Sequence, residues 1–317
     1  MPEAHAWFAA ERAVQDRIIR AREYAGRPWL LHESCPSVRQ HYFLLRCAGQ
    51  QWVGRRCVGS LSGLPGNAVS ACNLLGDAFR LGLGDREIQL DVTLRSTRDA
   101  AAFLTAAAAD PLAELVFPFP ALDSRGREWV CPPHYWQTAS RHAAMLAEDE
   151  RHLRDVCADT LRHALPPGAS VHDPACSTGD FLAAMARACP ALRFSGSDLS
   201  AAMIDTARQR HARLGLDFVC ADAATLRPSS VDGLIVRFLN AEVVSRAQAL
   251  TLFRGMARSV RPGGVAVLFG HTGVLVPVQA EAERLGWDVA RCTASSHDGR
   301  ALFQWYVLRN TAPLRNG

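Results

Sequence analysis

The sequence predicts an α/β protein: a parallel sheet covered by helices in the C-terminal half, preceded by a mainly helical accessory domain. Three observations carry this expectation. From Ser170 onward, short apolar runs (SVHDPA, RFSGSDL, DFVCAD, GLIVRFL, VAVLFGHT) alternate with helical segments, the pattern of strands joined by crossover helices. The 317 residues exceed the roughly 100–200 that one core usually serves, so a second unit is expected. Pro166-Pro-Gly168 marks a strong helix stop just ahead of the first strand.

The elements follow in chain order. From Ala6 to Glu23 the residues Ala6, Phe8, Ala9, Ala13, Val14, Ile18 and Ile19 form a helical stripe, with charges on the other face. Gly59 to Gly66 has loop composition, Glu87 to Leu94 alternates like a strand, and Thr97 to Ala109 is helical in pattern. Pro111 to Pro133 holds five prolines and is expected to cross a surface. A long helix is expected from about Trp136 to Leu165. The domain boundary is placed so that residues 1–135 form the accessory unit and 136–317 the α/β unit.

Composition narrows the function classes. Hydrophobic residues make up 49% and charged residues 21%, so a sizeable core is available. The formal charge is +4, and all 35 basic residues are arginine. They are scattered and form no basic block, which argues against a nucleic-acid stripe, while a modest positive field favours anionic ligands. No two of the ten cysteines are spaced C-x-x-C, so a zinc ribbon or redox motif is not supported and reduced thiols in the cytoplasm are expected. The N-terminus mixes acids and bases and lacks a signal-peptide apolar region. The most apolar stretch, Ala100 to Leu122, is broken by Asp110, Pro111 and Glu114, so no membrane association is expected.

The chemistry concentrates in Val171 to Leu182, VHDPACSTGDFL: a strand ending in Asp173, a turn of small residues, then a helix. Such a turn lets backbone N–H groups approach a ligand at the carboxyl edge of an open sheet. Neither G-x-G-x-x-G nor a phosphate loop is present. Asp198 ends the next strand 25 residues after Asp173, where a carboxylate can accept hydrogen bonds from both ribose hydroxyls. Asp222 follows the third strand. Three successive strand ends carrying Asp make a nucleoside-shaped site.

On these residues the chain resembles the Rossmann-like class I S-adenosylmethionine-dependent methyltransferases, from about Val171 to Leu308. DPACSTGDF resembles their first motif, GSDLSAAMIDTAR the ribose motif, CADAA the adenine motif, and SVRPGGVAVLFG the L-R-P-G-G segment. Ser177 stands where a glycine is usual. The resemblance implies S-adenosylmethionine as cofactor. It places Asp173, Ala175 and Gly179 along the methionyl part, Asp198 at the ribose and Asp222 with Ala223 at the adenine. Cys176, Thr178, Leu199, Met203 and Arg237 are further candidate cofactor-binding residues.

The acceptor is read from the ends of the later strands. The D-P-A-C-x-T-G variant also resembles adenine-N6 DNA methyltransferases, but the [ND]-P-P-[FYW] tetrapeptide that would hold a flipped base is missing after the fourth strand. A nucleic-acid methyltransferase therefore stands only as an alternative. Asn240 and Glu242 occupy the region where similar small-molecule enzymes carry active-site groups, and Glu242 is a candidate general base. Two histidines, His271 in FGHTG and His297 in SSHDG, together with an oxygen ligand would suit one divalent or ferric ion, iron or zinc. FGHTG and the closing strand FQWYVL resemble methyltransferases that alkylate the β-carbon of α-keto acids on the way to β-methyl amino acids. That resemblance implies a small carboxylate substrate whose enolate the metal stabilises, with Arg141 a candidate carboxylate partner. The N-terminal unit would cover the acceptor pocket, with His134, Tyr135 and Trp136 near its joint, or form a homodimer. A metal-independent O- or N-methyltransferase of a small metabolite is the other alternative, and both His297 and His271 have ordinary structural readings as turn and strand-end residues.

Overall fold

The computed structural model describes residues 2–33, 36–56, 67–83, 87–123, 125–132 and 150–311. The chain divides into two compact units, residues 1–129 with 295–304, and residues 130–294 with 305–317. No described helix is long and apolar enough to cross a membrane.

The first unit opens with α1 (Pro2–Ala21), followed by β1 (Pro28–Glu33), β2 (Tyr42–Cys47), β3 (Gln50–Arg55), β4 (Val69–Ser70), β5 (Leu74–Leu83) and β6 (Ile88–Leu94). It continues through α2 (Thr97–Ala109) and β7 (Glu114–Val116). Six of the strands form an antiparallel sheet in the order β1-β6-β5-β3-β2-β7. Two apolar clusters hold it. Phe43, Leu45, Trp52 and Leu115 pack with Phe103, Leu104 and Ala107 of α2. Leu31, Val53, Leu90 and Val92 pack with Ile18 of α1. Sequence neighbours fall in different clusters, Tyr42 and Phe43 on β2, Trp52 and Val53 on β3, Leu74 and Leu75 on β5, because alternate residues of a strand point to opposite faces.

This sheet corrects the expectation of a mainly helical accessory domain. YFLLRC is a short apolar run, LLHE and QQWV each join two apolar residues to two polar ones, and periodicity alone cannot assign such short segments to helix or strand. Pro111 to Pro133 is likewise more than a surface crossing, because it supplies β7, with Leu115 fully buried and Phe117 nearly so. The helices expected at Ala6–Glu23 and Thr97–Ala109 appear as α1 and α2, and the expected strand at Glu87–Leu94 as β6. Ser96 caps α2 by accepting the Asp99 N–H. The loop expected at Gly59–Gly66 lies outside the described residues.

Arg55 is buried inside the first unit between two carboxylates. Its guanidinium donates to both oxygens of Glu11 and both of Glu33, at 2.7–2.8 Å, and Tyr42 donates to Glu33 as well. A buried cation needs such complete pairing to be tolerated.

The second unit begins, among described elements, with α3 (Arg151–Ala164). It continues through β8 (Ser170–Asp173), α4 (Asp180–Ala188), β9 (Arg193–Asp198), α5 (Ala201–Arg210), β10 (Asp217–Cys220), β11 (Val231–Val236), α6 (Arg246–Ala257), β12 (Val260–Leu268) and α7 (Val278–Leu285). Then come β13 (Asp288–Ser295) and β14 (Ala301–Arg309). The part of the expected helix between Trp136 and Asp149 lies outside the described residues.

The sheet order is β10-β9-β8-β11-β12-β14-β13. From β10 to β12 every pairing is parallel, and β14 joins β12 antiparallel. The order reverses at β8, whose neighbours are β9 and β11. A crevice beyond the carboxyl ends of the strands is expected at such a switch point. The strands there are nearly continuous apolar runs, as sheets covered on both faces require: Leu234, Ile235, Val236, Val265, Ala266 and Val267 are all at or below 1% exposure.

At the helical surface of this unit, Glu281 of α7 accepts two hydrogen bonds from Arg254 of α6 and one from Arg284. The Arg254 hydrogen bonds, joined by Arg284, outweigh burial and hold its carboxyl near 2 instead of 4.5. A depressed carboxylate contributes stability above its unfolded value and loses it as pH falls through the folded one. The stability advantage of the protein over Glu281→Gln is therefore expected to be constant above pH 4.5 and to shrink toward pH 2, as read from denaturant midpoints across that range.

Candidate functional site

Three strand ends build the site, and the turn after β8 is its centre. Asp173 is fully buried; its Oδ1 accepts the Ala175 N–H at 3.1 Å and its Oδ2 accepts Arg237 Nε at 3.1 Å. The turn closes back on β9: Cys176 N–H donates to Ser197 O at 2.9 Å, and Ser177 N–H donates to Asp198 Oδ2 at 2.9 Å. Asp198 Oδ1 accepts the Ser200 N–H at 2.9 Å, so this one carboxylate ties the turn to the start of α5. Burial raises its pKa, opposed by those two backbone donors.

Backbone geometry explains the small residues. Gly179 caps α4 at φ +75°, and a Cβ there would lie 2.7 Å from the Phe218 ring. Ser177, in place of the usual glycine, takes φ +52° in the left-handed region, and its Oγ reaches Met203 Sδ at 3.8 Å. Thr178 is buried and donates to Asp180 at 2.9 Å. Cys176 is buried too, and burial, then the charges of Asp173 and Asp198, push its thiol well up, so it sits there as a neutral packing group.

Arg237, just past β11, spans the floor. It pairs with Asp173 and, through Nη1, with Glu150 at 3.1 Å, and its guanidinium lies 4.5 Å from the Phe181 ring centroid. Burial alone would depress it, but the two carboxylates outweigh that and hold it firmly protonated. Two carboxylates against one guanidinium leave this cluster net negative, which favours a cationic ligand. Glu150 and Phe181 were not singled out in the sequence. No spacing rule links position 150 to 237, whereas Phe181, directly after the turn, was in view as part of the motif.

The outer rim is apolar and open. Leu199, beside Asp198, is 73% exposed, and Val219 is 46% exposed. Asp222 caps the short turn at Ala223–Thr225 through Oδ1, accepting the Ala224 N–H at 2.8 Å, while Ala223 is buried.

Past β11, Asn240 is buried and pairs with Val274 in an isolated bridge. Its amide donates to Thr272 Oγ1 at 2.7 Å, and Thr272 in turn donates to Ala241 O at 2.6 Å. The Asn240 Oδ1 has no hydrogen-bond partner among the described residues. Gly270 makes room for it, since a Cβ there would lie 2.9 Å from the Asn240 side chain. Glu242 adopts φ +74°, and its carbonyl accepts the Cys131 N–H at 2.7 Å.

The metal expectation is not supported. His271 follows β12 in the second unit, whereas His297 is exposed in the β13–β14 turn and belongs to the first. That turn is closed by Ser296 N–H to Ala301 O and by Asp298, so SSHDG forms the hairpin its Asp-Gly pair encodes. Among the described residues, no group of three His, Cys, Asp or Glu side chains is placed to hold a metal ion. Arg141, His134, Tyr135 and Trp136 lie outside the described residues.

Residues 171–264 match the family model described as a methyltransferase domain. Isonocardicin synthase from Nocardia uniformis subsp. tsuyamanensis is 36% identical over 311 residues, covering 93% of this chain and 95% of that protein. Among solved structures, a SAM-dependent methyltransferase from Leishmania major is 16% identical, covering 56% of this chain and 80% of that one, at TM-score 0.44. A TehB-like SAM-dependent methyltransferase from Corynebacterium glutamicum is 16% identical, covering 56% of this chain and all of that one, at TM-score 0.40. The chain belongs to the S-adenosylmethionine-dependent methyltransferases. It is an enzyme of that family, and its full-length similarity is to isonocardicin synthase.

Proposed function

We propose that the enzyme transfers the sulfonium methyl group of S-adenosylmethionine to a small-molecule acceptor held beside Asn240. The observation that carries the acceptor half is the buried, unpartnered Oδ1 of Asn240. An orphaned buried acceptor costs about 1–3 kcal/mol, and a ligand N–H or O–H would recover that cost. Turning the amide over does not remove the problem, because the Nδ2 would then be the orphan. Similarity to isonocardicin synthase along nearly the whole chain supports a small molecule over a nucleic acid.

The residues fit the cofactor. Asp198 keeps a lone pair on each oxygen beyond its backbone bonds, enough for both ribose hydroxyls. Leu199, 73% exposed, would offer an apolar face to the adenine, and the second oxygen of Asp222 would accept from its amino group. Asp173 is a positioning residue in this reading, since its carboxylate is fully buried and paired with Arg237. The negative Glu150–Arg237–Asp173 cluster complements the positive methionyl and sulfonium end. Bound there, the cofactor supplies an electrophilic methyl carbon. Asn240 then orients the acceptor and Glu242 takes its proton. The strained backbone of Glu242 is consistent with a side chain aimed for function.

The narrower expectation, C-methylation of an α-keto acid on a metal-held enolate, calls for a ligand set that the described residues do not supply. A cytoplasmic location belongs to the same reading, supported by the eight described cysteines all being free thiols.

The test is incubation of the purified enzyme with methyl-labelled cofactor and a panel of small acceptors, including α-keto acids, phenols and amines. Label in one acceptor together with S-adenosylhomocysteine is the expected result, and activity is expected to survive exhaustive chelation. Release of methylthioadenosine would mean that a different sulfonium carbon is transferred and would overturn the methyl assignment. Loss on chelation, restored by one added ion, would return the metal-held enolate.

A further inference from the structure

The first unit carries a groove that nothing in the methyl-transfer reading uses. It lies where α1 gives way to β1 and is open to solvent, with a volume of about 380 Å³, within the roughly 300–1,000 Å³ typical of small-ligand pockets. Its floor is apolar: Ala21, Pro28, Trp29 and Leu94. Its rim is cationic and aromatic. Arg17 and Arg20 stand one turn apart on α1, Arg27 lies on the following turn, and Tyr24 between them is 61% exposed. The Arg27 guanidinium lies 6.0 Å from the Tyr24 ring centroid.

What sets these arginines apart is that none is committed to the fold. Arg22, from the same stretch, is spent on the carbonyls of Cys72, Leu74 and Arg95. Arg55 is locked between Glu11 and Glu33, and Arg95 pairs with Asp77. The side chains of Arg17, Arg20 and Arg27 make no hydrogen bond or ion pair among the described residues. Three uncompensated guanidinium groups around one apolar, aromatic hollow repel one another, and a bound anion would relieve that repulsion. Guanidinium pairs match phosphate in shape as well as charge, and an exposed ring above an apolar floor offers a flat group a place to stack.

We propose that this groove binds a small aryl or nucleoside phosphate, its phosphate between the arginines and its ring against Tyr24 and Trp29. The groove is lined by first-unit residues alone, and the proposal does not depend on the methyl-transfer reading. Calorimetry on the full chain tests it, with S-adenosylhomocysteine saturating the nucleoside site and phenyl phosphate and AMP as probes. The expected result is saturable binding that weakens as salt rises and falls about tenfold or more in Arg17→Ala/Arg20→Ala. Tyr24→Leu is expected to weaken phenyl phosphate while leaving the weaker binding of inorganic phosphate unchanged. All three side chains are exposed, so an unchanged melting temperature certifies the variants. Absence of saturable binding, or equal affinity in the double variant, overturns the proposal. Inorganic phosphate binding as well as phenyl phosphate overturns the role of the ring. Binding confined to oligonucleotides and growing with their length overturns it in favour of a nucleic-acid surface.

Discussion

Replacing Asp198 with alanine is expected to reduce S-adenosylmethionine affinity below calorimetric detection while far-ultraviolet circular dichroism stays unchanged. The size of the effect follows from how much one side chain does. Its two oxygens already fix the turn after β8 and the start of α5, and in the proposed complex they accept both ribose hydroxyls. Hydrogen bonds to a charged group contribute about 1.5–3 kcal/mol each, so losing two costs on the order of a hundredfold or more in affinity. The freed Ser177 N–H adds a second loss, because Ser177 holds a left-handed backbone that the carboxylate helps to secure. Asp198→Asn separates these contributions: it keeps one acceptor oxygen and is expected to bind weakly but measurably. Unchanged affinity in the alanine variant would overturn the ribose assignment.

Arg237→Leu is expected to destabilise the protein by about 3–5 kcal/mol, because it leaves the fully buried Asp173 carboxylate without its cation. In a protein of this size that corresponds to a fall in melting temperature of roughly 10 °C. Adding Asp173→Asn to the leucine variant is expected to recover part of the loss, since the uncompensated charge is then gone. A melting temperature within a degree or two of the parent would show that the cluster is not the anchor its burial indicates.

Much of the α/β unit was legible in the sequence because its signals are local. Apolar runs separated by helical stretches announced the parallel strands, and the DPACSTGDF turn announced itself by small residues that leave room for close backbone approach. Asp198 and Asp222 were readable because strand ends fall at regular intervals in a doubly wound sheet. The first unit was not legible in the same way. Most of its strands are short, β2 is an apolar run and β3 opens on two glutamines, and neither alternates, so only β6, with its strict period of two, declared its state. Pairings such as Arg237 with Glu150 join residues far apart in the chain, and no local pattern encodes them. The histidines at 271 and 297 show the opposite failure. Residue types suited to a metal were present, but Asp298-Gly299 had already committed the second histidine to a tight turn.

The membership of β14 has a practical outcome for anyone dissecting this enzyme. Its first four residues belong with the N-terminal segment, where Ala301 and Leu302 pair with β4 and Gln304 donates to the Leu115 carbonyl, and its last five belong with the later one. A gene cut after Trp129 would therefore encode a body missing an internal piece, so a faithful excision calls for grafting residues 295–304 back through a linker or for circular permutation.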